Sequence, residues 1–176
     1  MRKVILYIAM SLDGYIARED GSIDWLPAVD EAGEDYGYGE FIADIDTVLM
    51  GRITYEQILT FGAYPYAGMQ GIVFSRSRAG EIGEHVRFTD ENPGEVLHAL
   101  RLEEGKDIWL VGGGALISAF LDGGLINEYC IFIVPVLLGR GITLFDGPFP
   151  ETSLTLRDTK HYSSGMVRLR YGAASA

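Results

Sequence analysis

Three consecutive glycines, Gly112, Gly113 and Gly114, follow the apolar run at 108–111, and an apolar helix-like stretch opened by Ala115 and Leu116 comes directly after them. Without a Cβ, glycine lets backbone N–H groups come close to a ligand, and the start of a helix adds partial positive charge at the same place. A strand running into such a turn can hold a phosphate or pyrophosphate without any lysine. A nucleotide cofactor is therefore the first expectation. The spacing is not the G-x-G-x-x-G of a Rossmann unit, and taken alone a glycine run also reads as an ordinary tight turn.

Other chemistries find fewer residues. Cys130 is the single cysteine, and His85, His98 and His161 are scattered, which excludes an intrachain disulfide and argues against structural zinc. The formal net charge is −11, so neither nucleic acid nor an anionic membrane surface is an expected partner. Any anionic ligand must be held by a local basic pocket or by backbone amides. With 176 residues, 48% of them hydrophobic, the chain suits one domain, 1–176, around a real core.

The elements that must position these groups follow from apolar patterning. Residues 4–10 (VILYIAM) form a continuous apolar run, as expected of a central strand covered on both faces. Two basic residues precede it, but Asp13-Gly14 follows too soon for a signal peptide, and no stretch approaches the ~20 apolar residues of a membrane span. A cytoplasmic protein is expected. Residues 28–43 read as a helix weakened by Gly33, Gly37 and Gly39. A strand at 47–50 leads into Gly51-Arg52, and Thr54 is placed as N-cap of a helix reaching about residue 59. Strands at 71–75 and 86–89 come next. Asn92, Pro93 and Glu95 then start a helix that ends at Gly105. After the glycine turn, 126–138 reads as a long strand, broken or edge-placed at Pro135. Strands at 153–161 and 166–171 close the chain as a hairpin around Ser163-Ser164-Gly165. Strands alternating with helices imply a mainly parallel sheet in an α/β domain.

Four segments stand in order: SLDGYIA at 11–17, DTVLMGRITYE at 46–56, VGGG at 111–114 and PVLLGRGITLFDG at 135–147, with SRSR at 75–78 between them. Together they resemble the dihydrofolate reductase fold, and they are most similar to the branch containing the riboflavin-pathway reductase domain. The resemblance implies a three-layer α/β/α arrangement with a mainly parallel central sheet and an antiparallel C-terminal hairpin. It also implies NADPH as cofactor. Gly51, Arg52 and Thr54 would meet the cofactor phosphates at a helix N-terminus, with Ser75 and Arg76 at a neighbouring strand end. Two arginines and hydroxyls around one anion suit the 2′-phosphate of NADPH rather than NADH. Taken alone, Arg52 also reads as a surface arginine after a strand. Val111, Gly112, Gly113, Gly114, Ala115 and Leu116 would take the pyrophosphate and the nicotinamide side, and a cis peptide between two of the glycines is frequent in the family. Ala9, Ile16 and Ala17 would line the nicotinamide, or else serve as core. Asp13 reads as a turn-former with Gly14.

The implied reaction is hydride transfer to an electrophilic C=N or C=O carbon, with a protein group donating a proton. A carboxyl in a dry cleft would have its pKa raised toward that task. Asp30 is the candidate acid, because 25–30 resembles the family's tryptophan-to-aspartate segment. It also reads as part of a solvated acidic helix start with Glu31, Glu34 and Asp35. Asp24 is a weaker candidate. Trp25 packs over the ligands or anchors its loop to the core. Arg140 reaches an anionic substrate tail, such as the ribosyl phosphate of the riboflavin branch, or is a bulge arginine.

The substrate expected is a pyrimidine- or pterin-like heterocycle, with 5-amino-6-(5-phosphoribosylamino)uracil reduction ahead of dihydrofolate reduction. No H-x-E or C-x-x-C deaminase signature is present, so the domain is expected to stand alone. A non-catalytic NADP-binding module is the alternative of another class. A homodimer is expected by analogy and from the apolar strand 130–138.

Overall fold

Strand β1 (Val4–Ser11) is apolar along most of its length because both its faces are covered. In this computed structural model, which describes residues 1–29 and 32–173, its neighbours follow in chain order. They are β2 (Tyr15–Ala17), a 3₁₀ turn (Leu26–Val29), α1 (Tyr38–Ala43), β3 (Ile45–Gly51), α2 (Arg52–Thr60), β4 (Gln70–Phe74) and β5 (Val86–Thr89). Then come α3 (Pro93–Leu102), β6 (Asp107–Gly112), α4 (Gly114–Asp122), β7 (Glu128–Val134), β8 (Ile142–Thr143), β9 (Leu154–His161) and β10 (Val167–Ala173).

Eight strands form one sheet in the order β5-β4-β3-β6-β1-β7-β10-β9. Pairing is parallel from β5 through to β7 and antiparallel where β10 meets β7 and β9. β2 and β8 pair separately as a small antiparallel sheet.

Side chains alternate across the pleat, and this sorts β1 between two cores. Val4 and Leu6 pack with Val96, Leu97 and Leu100 of α3 and with Ile117 and Phe120 of α4. Ile5 packs on the opposite face with Val48, Met50 and Trp109, beneath Phe41 of α1 and Tyr55 of α2. The result is the expected α/β/α layering. A third cluster sets Trp25 and Val29 on Cys130, Phe132 and Val134 of β7. At the N-terminal edge of β1, buried Arg2 donates to Lys106 O at 2.8 Å and Thr47 Oγ1 at 2.6 Å and pairs with Asp46. One of the two basic residues that imitate a leader peptide is thus a polar plug of the fold.

Several boundaries differ from expectation for identifiable reasons. The helix expected at 28–43 shrinks to the 3₁₀ turn and α1, because Gly33 and Gly37 adopt left-handed backbone, with φ 89° and 80°. Asp35 then caps α1, accepting from Gly37 N at 2.8 Å and Gly39 N at 3.1 Å. Thr54 is not an N-cap: α2 starts at Arg52 behind Gly51 and carries Thr54 in its first turn. Asn92 does cap α3, its Oδ1 accepting from Gly94 N at 2.9 Å, but α3 stops at Leu102 rather than Gly105.

β7 ends at Val134, before Pro135, and lies between β1 and β10. It is an interior strand, so the argument for a dimer from an exposed strand at 130–138 does not hold. No peptide bond among the described residues is cis. The glycine turn is made instead by positive φ at Gly112 (127°) and Gly113 (57°).

Candidate active site

Parallel register brings the carboxyl ends of β3, β4 and β6 together: Gly51 pairs with Phe74, and Met50 pairs with Gly112. Two helices therefore start side by side, α2 at Arg52 and α4 at Gly114. A Cβ on Gly113 would lie 3.0 Å from Thr54 Oγ1, so the two starts are nearly in contact. The first N–H groups of both helices fall outside the helical ladders and are open to an anion.

The other two motifs close on the same turn. Asp13 accepts from Ser11 Oγ at 2.6 Å, from Leu138 N at 3.1 Å and from Gly139 N at 2.7 Å, clamping SLDG to LLGRG. The Ser11 hydroxyl, and then the Gly139 and Leu138 amides, hold its carboxyl below the usual range. It is the turn-former the sequence suggested. β2 pairs with β8 through Ala17 and Ile142, and a Cβ on Gly114 would come 3.1 Å from Ile142 Cγ2.

Around this junction opens a cleft of about 1990 Å³. That is roughly twice the upper size of an ordinary small-ligand pocket, enough for a dinucleotide and a second molecule. Ala9, Ile16, Ala17, Gly51, Arg52, Thr54, Ser75, Arg76, Val111, Gly113, Gly114, Ala115 and Leu116 all line it. Gly112 lies buried behind the lining and acts through its backbone conformation. Arg52 donates to both carboxylate oxygens of Glu56, at 2.9 and 2.7 Å, whereas Arg76 has no ion-pair partner among the described residues. Asp90 and Glu91 line the cleft too, Glu91 accepting from Thr89 Oγ1 at 3.0 Å.

Two residues assigned from the sequence stand apart from the lining. Trp25 is buried against the β7 core and anchors its loop, while the neighbouring Leu26 and Pro27 face the cleft. Arg140 is 82% exposed, lies 3.5 Å from Glu19 and does not line the cleft. Asp30 lies outside the described residues.

The sequence reading missed an aromatic wall of the cleft. Tyr7, Tyr38, Tyr66, Trp109 and Phe132 line it. Tyr7 stacks on Phe41 with centroids 4.1 Å apart, Trp109 meets Tyr66 edge-on at 5.2 Å, and the Trp109 indole N–H donates to Tyr7 O at 3.1 Å. The signal was available: Tyr7 shares the parity of Ala9 on β1, and Trp109 that of Val111 on β6.

Burial pushes the Tyr7, Tyr66 and Tyr38 hydroxyls upward, so they stay protonated at neutral pH. Asp35, also lining the cleft, is shifted the other way from a raised-pKa acid. The Gly37 and Gly39 amides hold its carboxyl below the usual range, so it accepts rather than donates.

Comparisons with known proteins agree with this geometry. Residues 2–168 match the model of the RibD C-terminal domain family. The uncharacterized protein YwjB of Bacillus subtilis is 42% identical over 171 residues, spanning 97% of both chains. A crystal structure of a Shewanella sp. PV-4 protein named for riboflavin biosynthesis superposes with a TM-score of 0.90 at 27% identity, over 98% of this chain and 99% of that one. The deaminase/5-amino-6-(5-phosphoribosylamino)uracil reductase of Thermotoga maritima shares the fold, with a TM-score of 0.74 at 17% identity, over 98% of this chain and 57% of that one.

Proposed function

This chain belongs to the RibD C-terminal domain family and is riboflavin-pathway reductase-like, and from that premise we propose that it is an NADPH-dependent reductase of a flat pyrimidine- or pterin-like heterocycle. One observation carries the reading: four separate motifs meet at a single glycine turn between two helix starts, with apolar surface on one side and arginines on the other. The fit to a dinucleotide can be judged from the chain itself. Gly113 leaves open a space that any side chain would fill against Thr54, and such a gap lets a pyrophosphate reach backbone amides.

The roles divide along the cleft. The amides at the starts of α2 and α4 hold the pyrophosphate, and Ser75 and Arg76 hold the 2′-phosphate. Arg52 contributes on turning from Glu56. Ala17, Ile16 and Ile142 brace the nicotinamide, and the aromatic wall orients the second molecule and excludes water. Bound NADPH supplies a hydride to an electrophilic C=N or C=O carbon. Asp35, held ionised, recognises N–H groups and does not act as the acid. The same reading extends to assembly as a homodimer and to a location in the cytoplasm.

Calorimetry with NADPH and NADH tests the cofactor, followed by nicotinamide oxidation across a heterocycle panel. NADPH should bind tighter, and Arg76→Ala should cost it roughly tenfold while leaving NADH unchanged. Equal affinity for both cofactors, before and after the substitution, would remove the 2′-phosphate assignment. Tight binding without oxidation of NADPH by any heterocycle would favour a non-catalytic binding module.

A further inference from the structure

The C-terminal hairpin reaches the cleft. β9 ends at His161, and the turn into β10 closes with Tyr162 N donating to Met166 O at 2.9 Å and Gly165 N to Tyr162 O at 3.0 Å. That turn delivers Met166 to the cleft lining and buries Tyr162 in the cluster around Trp25 and Phe132. Further along β10, Arg168 pairs in register with Phe132 of β7 and with Lys160 of β9, and its side chain bonds Asp158 at 2.6 Å.

What the hairpin touches is the rim at 35–38, of which Asp35, Tyr36 and Tyr38 line the cleft. Tyr36 is the single non-glycine among the described residues with left-handed backbone, at φ 56°, and Gly37 follows at 80°. A bulky side chain avoids that region, so the conformation persists only where surrounding contacts impose it. Some of those contacts are local: Tyr36 N donates to Glu34 Oε1 at 2.9 Å, and the Tyr36 hydroxyl donates to Val29 O. Others come from the hairpin. The Tyr162 hydroxyl, which burial keeps protonated, donates to Tyr36 O at 3.2 Å, and the two rings meet edge to face at 4.8 Å. Arg168 bounds the next residue, because a Cβ on Gly37 would lie 3.2 Å from its Nη1. Its Nε is buried without a hydrogen-bond partner among the described residues, so the guanidinium holds this place at a cost.

We propose that Tyr162 and Arg168 are positioning residues for the substrate, resting on the reductase reading for the heterocycle that meets Asp35. The hairpin holds Tyr36 and Gly37 in left-handed backbone and through them aims the Asp35 carboxylate and the Tyr38 ring into the cleft. Both amides that Asp35 accepts, Gly37 N at 2.8 Å and Gly39 N at 3.1 Å, lie beyond the strained residue. A rim that relaxes at Tyr36 therefore carries the carboxylate and Tyr38 with it. The hairpin also bears on charge: after the Gly37 and Gly39 amides, Lys160 helps hold the Asp35 carboxyl below its usual range. Arg52, Arg76 and the glycine turn stand at the ends of β3, β4 and β6, across β1 from the hairpin. Hairpin and rim thus act on the heterocycle and leave the nicotinamide cofactor alone.

The test uses the whole protein saturated with NADP+, with 5-amino-6-(5-phosphoribosylamino)uracil and dihydrofolate as probes titrated calorimetrically. Tyr162→Phe keeps the ring and removes only the bond to Tyr36 O. It should weaken whichever probe binds the parent protein by roughly fivefold and speed hydrogen exchange at the Gly37 and Gly39 amides. NADP+ affinity should stay within about twofold of the parent value, which also reports that the variant is folded. Gly37→Ala strains the same backbone and crowds Arg168 without altering the hairpin, so it serves as the second variant and should give the same split. Equal losses of probe and cofactor affinity would mark Tyr162 as a general support of the fold and overturn the proposal. Probe affinity unchanged in both variants would overturn it too. Failure of NADP+, or of both probes, to bind the parent protein would instead overturn the reductase reading, and exchange at Gly37 and Gly39, which needs no ligand, would still decide whether the hairpin holds the rim.

Discussion

Asp13 shows how much one exposed carboxylate can organise. It joins residues more than a hundred positions apart, accepting from Ser11 Oγ on one side and from the Leu138 and Gly139 amides on the other. Those bonds favour the ionised form and hold its pKa below the ordinary value of 3.8. A depressed folded-state pKa means that the stabilisation is present above the unfolded value and is lost as pH falls through the folded one. Asp13→Asn should therefore lower the thermal midpoint most above about pH 5, and the two proteins should converge toward about pH 3. A difference that stays constant with pH would show that the carboxylate charge is not what the loop responds to. Residue-level assignment from sequence succeeded where a motif fixed the role, as with Asp13. Where residue type left two roles open, burial decided between them, as with Trp25, which anchors its loop to the core.

At the scale of elements, β2 and β8 are the smallest strands, yet they carry one side of the cleft beside the glycine turn. Their approach depends on Gly141: a Cβ there would lie 2.2 Å from Ala17 O, a backbone atom that cannot swing away. Gly141→Ala should separate the strands, cost about 1–3 kcal/mol of stability and weaken NADPH binding. Gly68→Ala, where an added Cβ meets nothing within 4 Å, should behave like the parent protein. Denaturant midpoints and cofactor titrations on the pair decide it. Loss of stability in both variants alike would remove the steric explanation.

The same region marks where the sequence was legible. Buried strands such as β1 and β6 announce themselves by continuous apolar runs, and the cap of α3 by Asn92-Pro93. β2 and β8 carry no such periodicity, because tertiary contacts with the glycine turn hold them, and the aromatic wall was hidden among residues that read equally as core. The helix expected across 28–43 failed for a local reason, since left-handed glycines and the Asp35 cap delay regular helix to Tyr38.

At the scale of the whole molecule the two sheet edges are unequal. β5 is four residues long, largely buried, and shielded by a bridge from Ile82 to Arg87. β9 is eight residues long and exposed at every position, including Leu154 and Leu156. A long bare edge offers its unpaired backbone groups to another strand, and a two-fold copy is the closed way to satisfy them. Antiparallel pairing centred between Arg157 and Asp158 would set each opposite its complement across the axis. Against this stands a net charge of −11 on each copy, a repulsion that salt screens. The expected particle is thus a dimer of the 19.3 kDa chain, tighter at about 0.5 M salt than at about 0.05 M. Lysine at both leucines, Leu154→Lys with Leu156→Lys, should yield a monomer, because charges on an edge strand oppose pairing. NADPH affinity should persist, since β3 and β4, which lead into Arg52 and Arg76, lie on the far side of β1 from this edge. Sedimentation across the salt series reads the outcome directly, and a parent protein that stays monomeric at every salt concentration would show that β9 tolerates solvent unaided.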